Sequence, residues 1–170
     1  MKVFVFIFVS TVFYFGLSSG VSAEGKTKYL EKLQGLVNDP LKAREERRRI
    51  RESSGEDSKE LDELDLIIKN EINTISSSLP MKVDKHTTMY AAGMSGNNIA
   101  FKYTLSNNMP GLNHKAEVVS GLSEMLKNSM CTSPAGAYLI LGYIWSYYYF
   151  YENGKYYSGV IIDAKTCGFE

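Results

Sequence analysis

Cysteine is scarce in this chain of 170 residues: only Cys131 and Cys167 occur. Histidine is equally scarce, with His86 and His114 alone. So few thiol and imidazole ligands exclude most structural zinc sites, and no metal or other cofactor is expected. Charge of one sign is lacking too, since 19 lysines and arginines face 19 aspartates and glutamates. A neutral chain has no overall electrostatic pull toward phosphate, which excludes a dominant nucleic-acid role. No P-loop, no GxGxxG after a strand, no GxSxG and no HExxH occurs, so the common phosphate, dinucleotide, acyl-transfer and metalloprotease signatures are missing. What is present is an ordinary globular composition, 44% hydrophobic and 22% charged, with 12 tyrosines and 8 phenylalanines. The length suits one domain.

Residues 1–23 read as an export signal. Lys2 precedes an apolar run from Val3 to Leu17, and small residues then lead to Val21-Ser22-Ala23. That is the layout of a cleaved secretory signal peptide. The run falls short of the roughly 20 residues that a bilayer core requires. The mature chain is expected to begin at Glu24 and to reside in the periplasm. The signal region holds no cysteine for lipid attachment, so no lipid anchor is expected and membrane association is at most peripheral. Both cysteines lie in the exported part, where an even count implies a disulfide. Two cysteines allow one intramolecular pairing, Cys131 with Cys167, closing a loop of about 36 residues worth about 3–4 kcal/mol in the chain-entropy picture.

Residues 24–60 form a charged helical arm. Tyr29, Leu30, Leu33, Leu36 and Val37 recur at helical spacing. Asn38-Asp39-Pro40 opens a second helix, with proline in its first turn. That helix carries Arg44, Arg47, Arg48, Arg49 and Arg51 with Glu45, Glu46 and Glu52 interleaved. Its apolar face is thin, which predicts a solvated, mobile helix; the alternative is an arm that binds anions or lipid headgroups. Ser53-Ser54-Gly55 ends it.

From residue 61 the pattern becomes that of a packed domain, 61–170. Leu61, Leu64, Ile68, Ile72, Ile75 and Leu79 make one helical stripe, which Pro80 stops. Residues 82–94 and 99–105 read as two strands joined by Ser95-Gly96-Asn97-Asn98. A second helix runs from about His114 to Met130. The aromatic run from Tyr138 to Tyr151 reads as a long strand, and Asn153-Gly154 turns it into a last strand, Tyr156 to Asp163. The order is α-β-β-α-β-β. The expected fold is α+β, a two-layer domain with an antiparallel sheet and helices on one face, preceded by the charged arm.

These residues resemble a known family. Ile75-Ser-Ser-Ser-Leu79-Pro80-Met81 leads a hairpin; Met130-Cys131-Thr-Ser-Pro134 precedes a tyrosine-rich run with Gly142; a turn follows at Gly154, and Lys165-Thr166-Cys167-Gly168 closes the chain. This pattern is similar to the AspS-type (GspS-beta) pilotins of bacterial type II secretion over roughly residues 65–170. The resemblance implies the same helix and hairpin order and the same disulfide. It also implies a protein partner, a C-terminal segment of the outer-membrane secretin. The family's members carry a lipidated cysteine at the mature N-terminus, which this chain lacks, and residues 24–60 are additional to the family's domain.

The expected function is therefore that of an exported periplasmic binding protein, assisting the assembly or localisation of an envelope secretion component. The alternative is a stand-alone inhibitor or immunity-type protein that blocks a partner. Large aromatic side chains dominate binding hot spots, and Trp145, Tyr147 and Tyr149 at mid-strand are the expected anchors. Asp84 and His86 share a strand face, but that spacing is common. No nucleophile with a base is legible, so no enzymatic activity is expected.

Overall fold

The computed structural model describes residues 28–52 and 56–170. The expected signal peptide and the Ser53-Ser54-Gly55 breaker lie outside the described residues. Among the described residues, no helix is long and apolar enough to cross a membrane.

Two helices make the arm, α1 (Lys28–Leu36) and α2 (Pro40–Glu52). The Asp39 side chain accepts a hydrogen bond from the Lys42 amide at 3.2 Å, so Asp39 caps α2 and proline occupies its first turn. The stripe Leu30, Leu33 and Val37 is buried, as is Ala43 on α2, and all four belong to the same core as Leu64 and Ile68. Thus α2 is solvated over its charged faces, as its composition suggests, but it is docked along one side. Its thin apolar face is anchored by a partly buried cation. The Arg47 Nη1 donates to the carbonyls of Leu139 and Ile140 at 3.0 and 3.1 Å. Glu46, also buried, accepts from Arg49 at 2.8 Å and from Lys32 at 3.0 Å.

The rest of the chain follows the expected order with additions. Helix α3 (Glu56–Ser77) buries Leu64, Ile68 and Ile72. Strands β1 (Met81–Lys82), β2 (Thr87–Ser95) and β3 (Asn98–Leu105) follow. Gly96 turns β2 into β3 with φ 57°, a left-handed value that glycine adopts without penalty. Helix α4 (Lys115–Thr132) buries Leu122, Leu126 and Met130. A short helix, α5 (Gly136–Leu141), precedes β4 (Ile144–Tyr151) and β5 (Tyr156–Ile162).

Helix α5 replaces the first third of the expected long strand. An unbroken apolar run has no periodicity to separate helix from strand. Here the ends decide it. Gly142 stands at φ 107° and its amide, with that of Tyr143, closes on the carbonyls of Leu139 and Tyr138, a left-handed helix stop.

The five strands lie in the order β1-β2-β3-β4-β5. Both hairpins are antiparallel, but β3 and β4 pair in parallel, Phe101 opposite Tyr147. The sheet is therefore mixed within the expected α+β class. The reason is connectivity: helices α4 and α5 form the crossover, and a crossover returns the chain parallel to the strand it left. Helix α3 packs against β2 and α4 against β5. Cys131, near the end of α4, is bonded to Cys167 beyond β5, with the Cα atoms 5.3 Å apart.

Candidate functional site

The two faces of the sheet follow from its register. Residues paired across strands point to the same side. Met89, Tyr103 and Tyr149 form one row, Ala92, Phe101, Tyr147 and Val160 the next, and Met94, Ile99, Trp145 and Ile162 the third. All three rows face the helices. The expected anchors are therefore core residues: Trp145, Tyr147 and Tyr149 are 1%, 2% and 4% exposed. The physical reason is that β4 is an interior strand, so its odd-numbered side chains meet those of β3. Phe101 stacks on Trp145 and Tyr147 with ring centres 5.8 and 5.7 Å apart, and Tyr103 on Tyr149 at 5.2 Å. Burial pushes the phenols of Tyr103, Tyr147 and Tyr149 well above their ordinary range. The Tyr147 hydroxyl has no hydrogen-bond partner among the described residues.

The opposite face holds the other rows: Lys82, Thr88, Thr104, Phe150 and Tyr156; Ala91, Lys102, Tyr148 and Gly159; Gly93, Ala100, Ser146 and Ile161. Its exposed side chains, Lys102, Tyr156 and Ile161, mark it as the open face. Its relief is uneven. An aromatic ridge runs along one side, where Phe150 meets Tyr90 edge-on at 6.0 Å and Tyr156 at 5.7 Å. Gly159 makes room for this ridge, because a Cβ there would lie 2.8 Å from the Tyr156 hydroxyl and 3.2 Å from the Tyr148 ring. Beside the ridge the side chains of Ala91, Gly93 and Ala100 are small, so the face lies lower there. Tyr90, Tyr156 and Ile161 are 40%, 58% and 56% exposed. The charged side chains in these rows are Lys82 and Lys102, and no carboxylate accompanies them. This face can accept an apolar surface with acidic flanks, without chemistry at any bond. In the sequence it shows only as the even-numbered half of β4, Ile144, Tyr148 and Phe150, and nothing local says which half faces out.

A second concavity, of about 510 Å³, lies between α2, α3 and the end of α5. Arg47 and Arg51 line one wall, Asp62 and Asp65 the other. Arg47, Arg51 and Asp65 are paired with side chains beside it. Glu170 contacts both arginines, and these hold its carboxyl below the usual range, Arg51 above all. Asp65 accepts from Lys69 and, at 3.0 Å, from the Tyr143 hydroxyl; both depress it, Lys69 more. The other expected pair, Asp84 with His86, meets through the His86 backbone amide at 2.6 Å, not through the imidazole. His114 is an exposed residue at the start of α4. No cluster of three or more histidine, cysteine or acidic residues that could hold a metal ion occurs among the described residues.

No family profile and no curated protein sequence matches the chain. Solved structures do. A candidate secreted protein from Pseudomonas aeruginosa superposes with a TM-score of 0.51 at 15% identity, covering 68% of this chain and 99% of that one. EpsS, the pilotin of the Vibrio vulnificus type 2 secretion system, superposes with a TM-score of 0.50 at 15% identity, covering 65% of this chain and 96% of its own. The Vibrio cholerae type II pilotin AspS matches at 0.47 with 14% identity, over 66% of this chain and 100% of its own. At such identities the likeness is one of fold: the chain has a pilotin-like α+β fold.

Proposed function

We propose that this protein is an exported, non-catalytic binding module that holds a segment of an envelope secretion component, as pilotins do, and assists its assembly or localisation. The observation that carries this reading is the bare face of the sheet. The parallel pair β3–β4 lies at the sheet's centre, yet its open face presents Tyr148, Phe150 and Tyr156 to solvent beside a lower strip of alanine and glycine. Parallel strands ordinarily lie between two layers. An amphipathic helix laid on that strip against the ridge supplies the missing layer, and the small residues let its backbone come close. Lys82 and Lys102 favour acidic residues along that helix. The pilotin-like fold makes the C-terminal segment of a secretin the first partner to examine, and the export signal read in the sequence of residues 1–23 supports a periplasmic location for the protein.

The test is photo-crosslinking in the periplasm from position 156, followed by mass spectrometry of the adduct. A secretin subunit is expected, and Phe150→Asp should abolish its capture while the protein stays folded. Capture of a different protein refutes the secretin partner. Unchanged capture with Phe150→Asp refutes the sheet face.

A further inference from the structure

Folding sorts the charges of α2 in a way that their order along the chain conceals. Ala43, Glu46, Arg47 and Ile50 point toward the body of the protein and are buried or half-buried. Lys42, Glu45, Arg49 and Glu52 lie along one flank and alternate in sign. The remaining stripe is Leu41, Arg44, Arg48 and Arg51, spaced three, four and three residues apart, so they share one face of the helix. All four are exposed, Leu41 at 76%. The stripe contains three guanidinium groups; Glu45 and Glu52 border it, three residues before and four after Arg48, and Arg51 also lines the concavity toward α3. The Arg44 Nη2 donates to the carbonyl of Gly168 at 3.3 Å, which is neutral, and Glu170 offsets Arg51. No carboxylate pairs with Arg44 or Arg48 among the described residues.

The whole molecule is polarised in the same sense. Residues 28–52 carry eight lysines and arginines against five acids, whereas residues 56–170 carry nine against thirteen. A neutral protein with that separation has a dipole that turns its arm toward a negative surface. A large exposed apolar side chain beside basic residues is one element of a helix that contacts a membrane surface.

We infer that this stripe of α2 is a peripheral contact for anionic lipid: Arg44 and Arg48 donate to headgroup phosphates, and Leu41 enters the headgroup layer. Guanidinium suits this role because its planar donors match phosphate oxygens two at a time. The inference is independent of the sheet face, which no residue of α2 touches. Two arginines without an ion-pair partner, one of them flanked by Glu45 and Glu52, and one leucine make a weak and salt-sensitive contact, suited to reversible binding.

The test is co-sedimentation of the purified exported protein with vesicles of phosphatidylcholine, with and without phosphatidylglycerol. Binding is expected only with phosphatidylglycerol, and should weaken as salt rises. Each of Arg44→Gln and Arg48→Gln should lower the partition coefficient about fivefold. Leu41→Ser should lower it at low and high salt alike. Arg48 makes no hydrogen bond or ion pair among the described residues, so Arg48→Gln alone decides the matter if Arg44→Gln disturbs the turn at Gly168. Equal binding to both vesicle types, or unchanged binding by Arg48→Gln, overturns the inference. So does full competition by free inorganic phosphate at the same phosphate concentration, which assigns the stripe to a soluble anion.

Discussion

Replacing Arg47 by methionine tests whether the arm is part of the fold. The substitution keeps an apolar stem of similar length and removes the guanidinium. Two hydrogen bonds are lost, at 3.0 and 3.1 Å, to the carbonyls of Leu139 and Ile140. Bonds from a charged donor contribute about 1.5–3 kcal/mol each; the Leu139 carbonyl keeps its bond from the Gly142 amide, so only the Ile140 carbonyl can be left without a donor, at a cost of about 1–3 kcal/mol. Three things reduce the sum. The contact with Glu170 is long, 3.5 Å, and lies at the surface, so it contributes little. The Arg47 Nε is buried with no partner among the described residues, a penalty that methionine removes. Burial itself disfavours the charged guanidinium and lowers its pKa, opposed more weakly by Glu170. The net expectation is a loss of about 2–4 kcal/mol. For a protein of this size that is a fall in Tm of about 5–15 °C. Urea unfolding measures it, as a lower midpoint with the slope unchanged, and limited proteolysis should cut between α1 and α2 sooner. Arg48→Met, on the exposed side of the same helix, should stay within about 0.5 kcal/mol of the native protein. If Arg47→Met does so too, or if cleavage of the arm does not accelerate, the arm is not held as described.

Tyr147→Phe should be neutral or stabilising by about 1 kcal/mol, because it removes a buried hydroxyl without a partner, whereas Tyr147→Ala should cost about 3–5 kcal/mol; a large loss with phenylalanine would reveal a hidden hydrogen bond. Cys131→Ser should lower stability by about 2–4 kcal/mol, read by calorimetry, and an unchanged Tm would refute a structural role for the bond. Stability should fall as pH rises above about 10: Tyr103, Tyr147 and Tyr149 ionise freely once unfolded but are held neutral by burial in the fold, so their contribution is present below the unfolded value and is lost above it. Tyrosinate absorbance should therefore rise with unfolding and not before it. In acid the sign reverses. Arg49 and then Lys32 depress Glu46, and its contribution is present above about pH 4.3 and lost as pH falls through its lower folded value; Glu46→Gln should flatten that part of the acid melting profile.

Much of this architecture was legible in residue order because local rules were not contradicted by packing. Asp39-Pro40 starts a helix, Pro80 stops one, and Asn153-Gly154 reverses a strand, since each acts through its own backbone angles or missing donor. The apolar stripes of α3 and α4 face the core because a period near 3.6 leaves a helix one side to bury. The single possible cysteine pair needed no geometry. Other features depended on what the chain meets in space. The run Tyr138 to Tyr151 is apolar but for Gly142 and Ser146, so its division into α5 and β4 rests on the left-handed stop at Gly142 and on the contacts of α5 with the arm. Both faces of β4 are aromatic. The choice of Trp145, Tyr147 and Tyr149 for the interior was made by register with Phe101 and Tyr103 on a parallel neighbour 46 positions away in the chain, and periodicity of two cannot say which face is covered. Arg47 is one of five arginines of the same composition and exposure preference. Only the approach of the carbonyl ends of α5 singles it out, and with it buried, helical geometry leaves Arg44 and Arg48 outward and Arg51 at the rim of the concavity. Alternation and punctuation are short-range properties that a sequence determines by itself; which face is covered, and which like-charged residue is anchored, are decided by elements far apart in the chain that meet only in the tertiary structure.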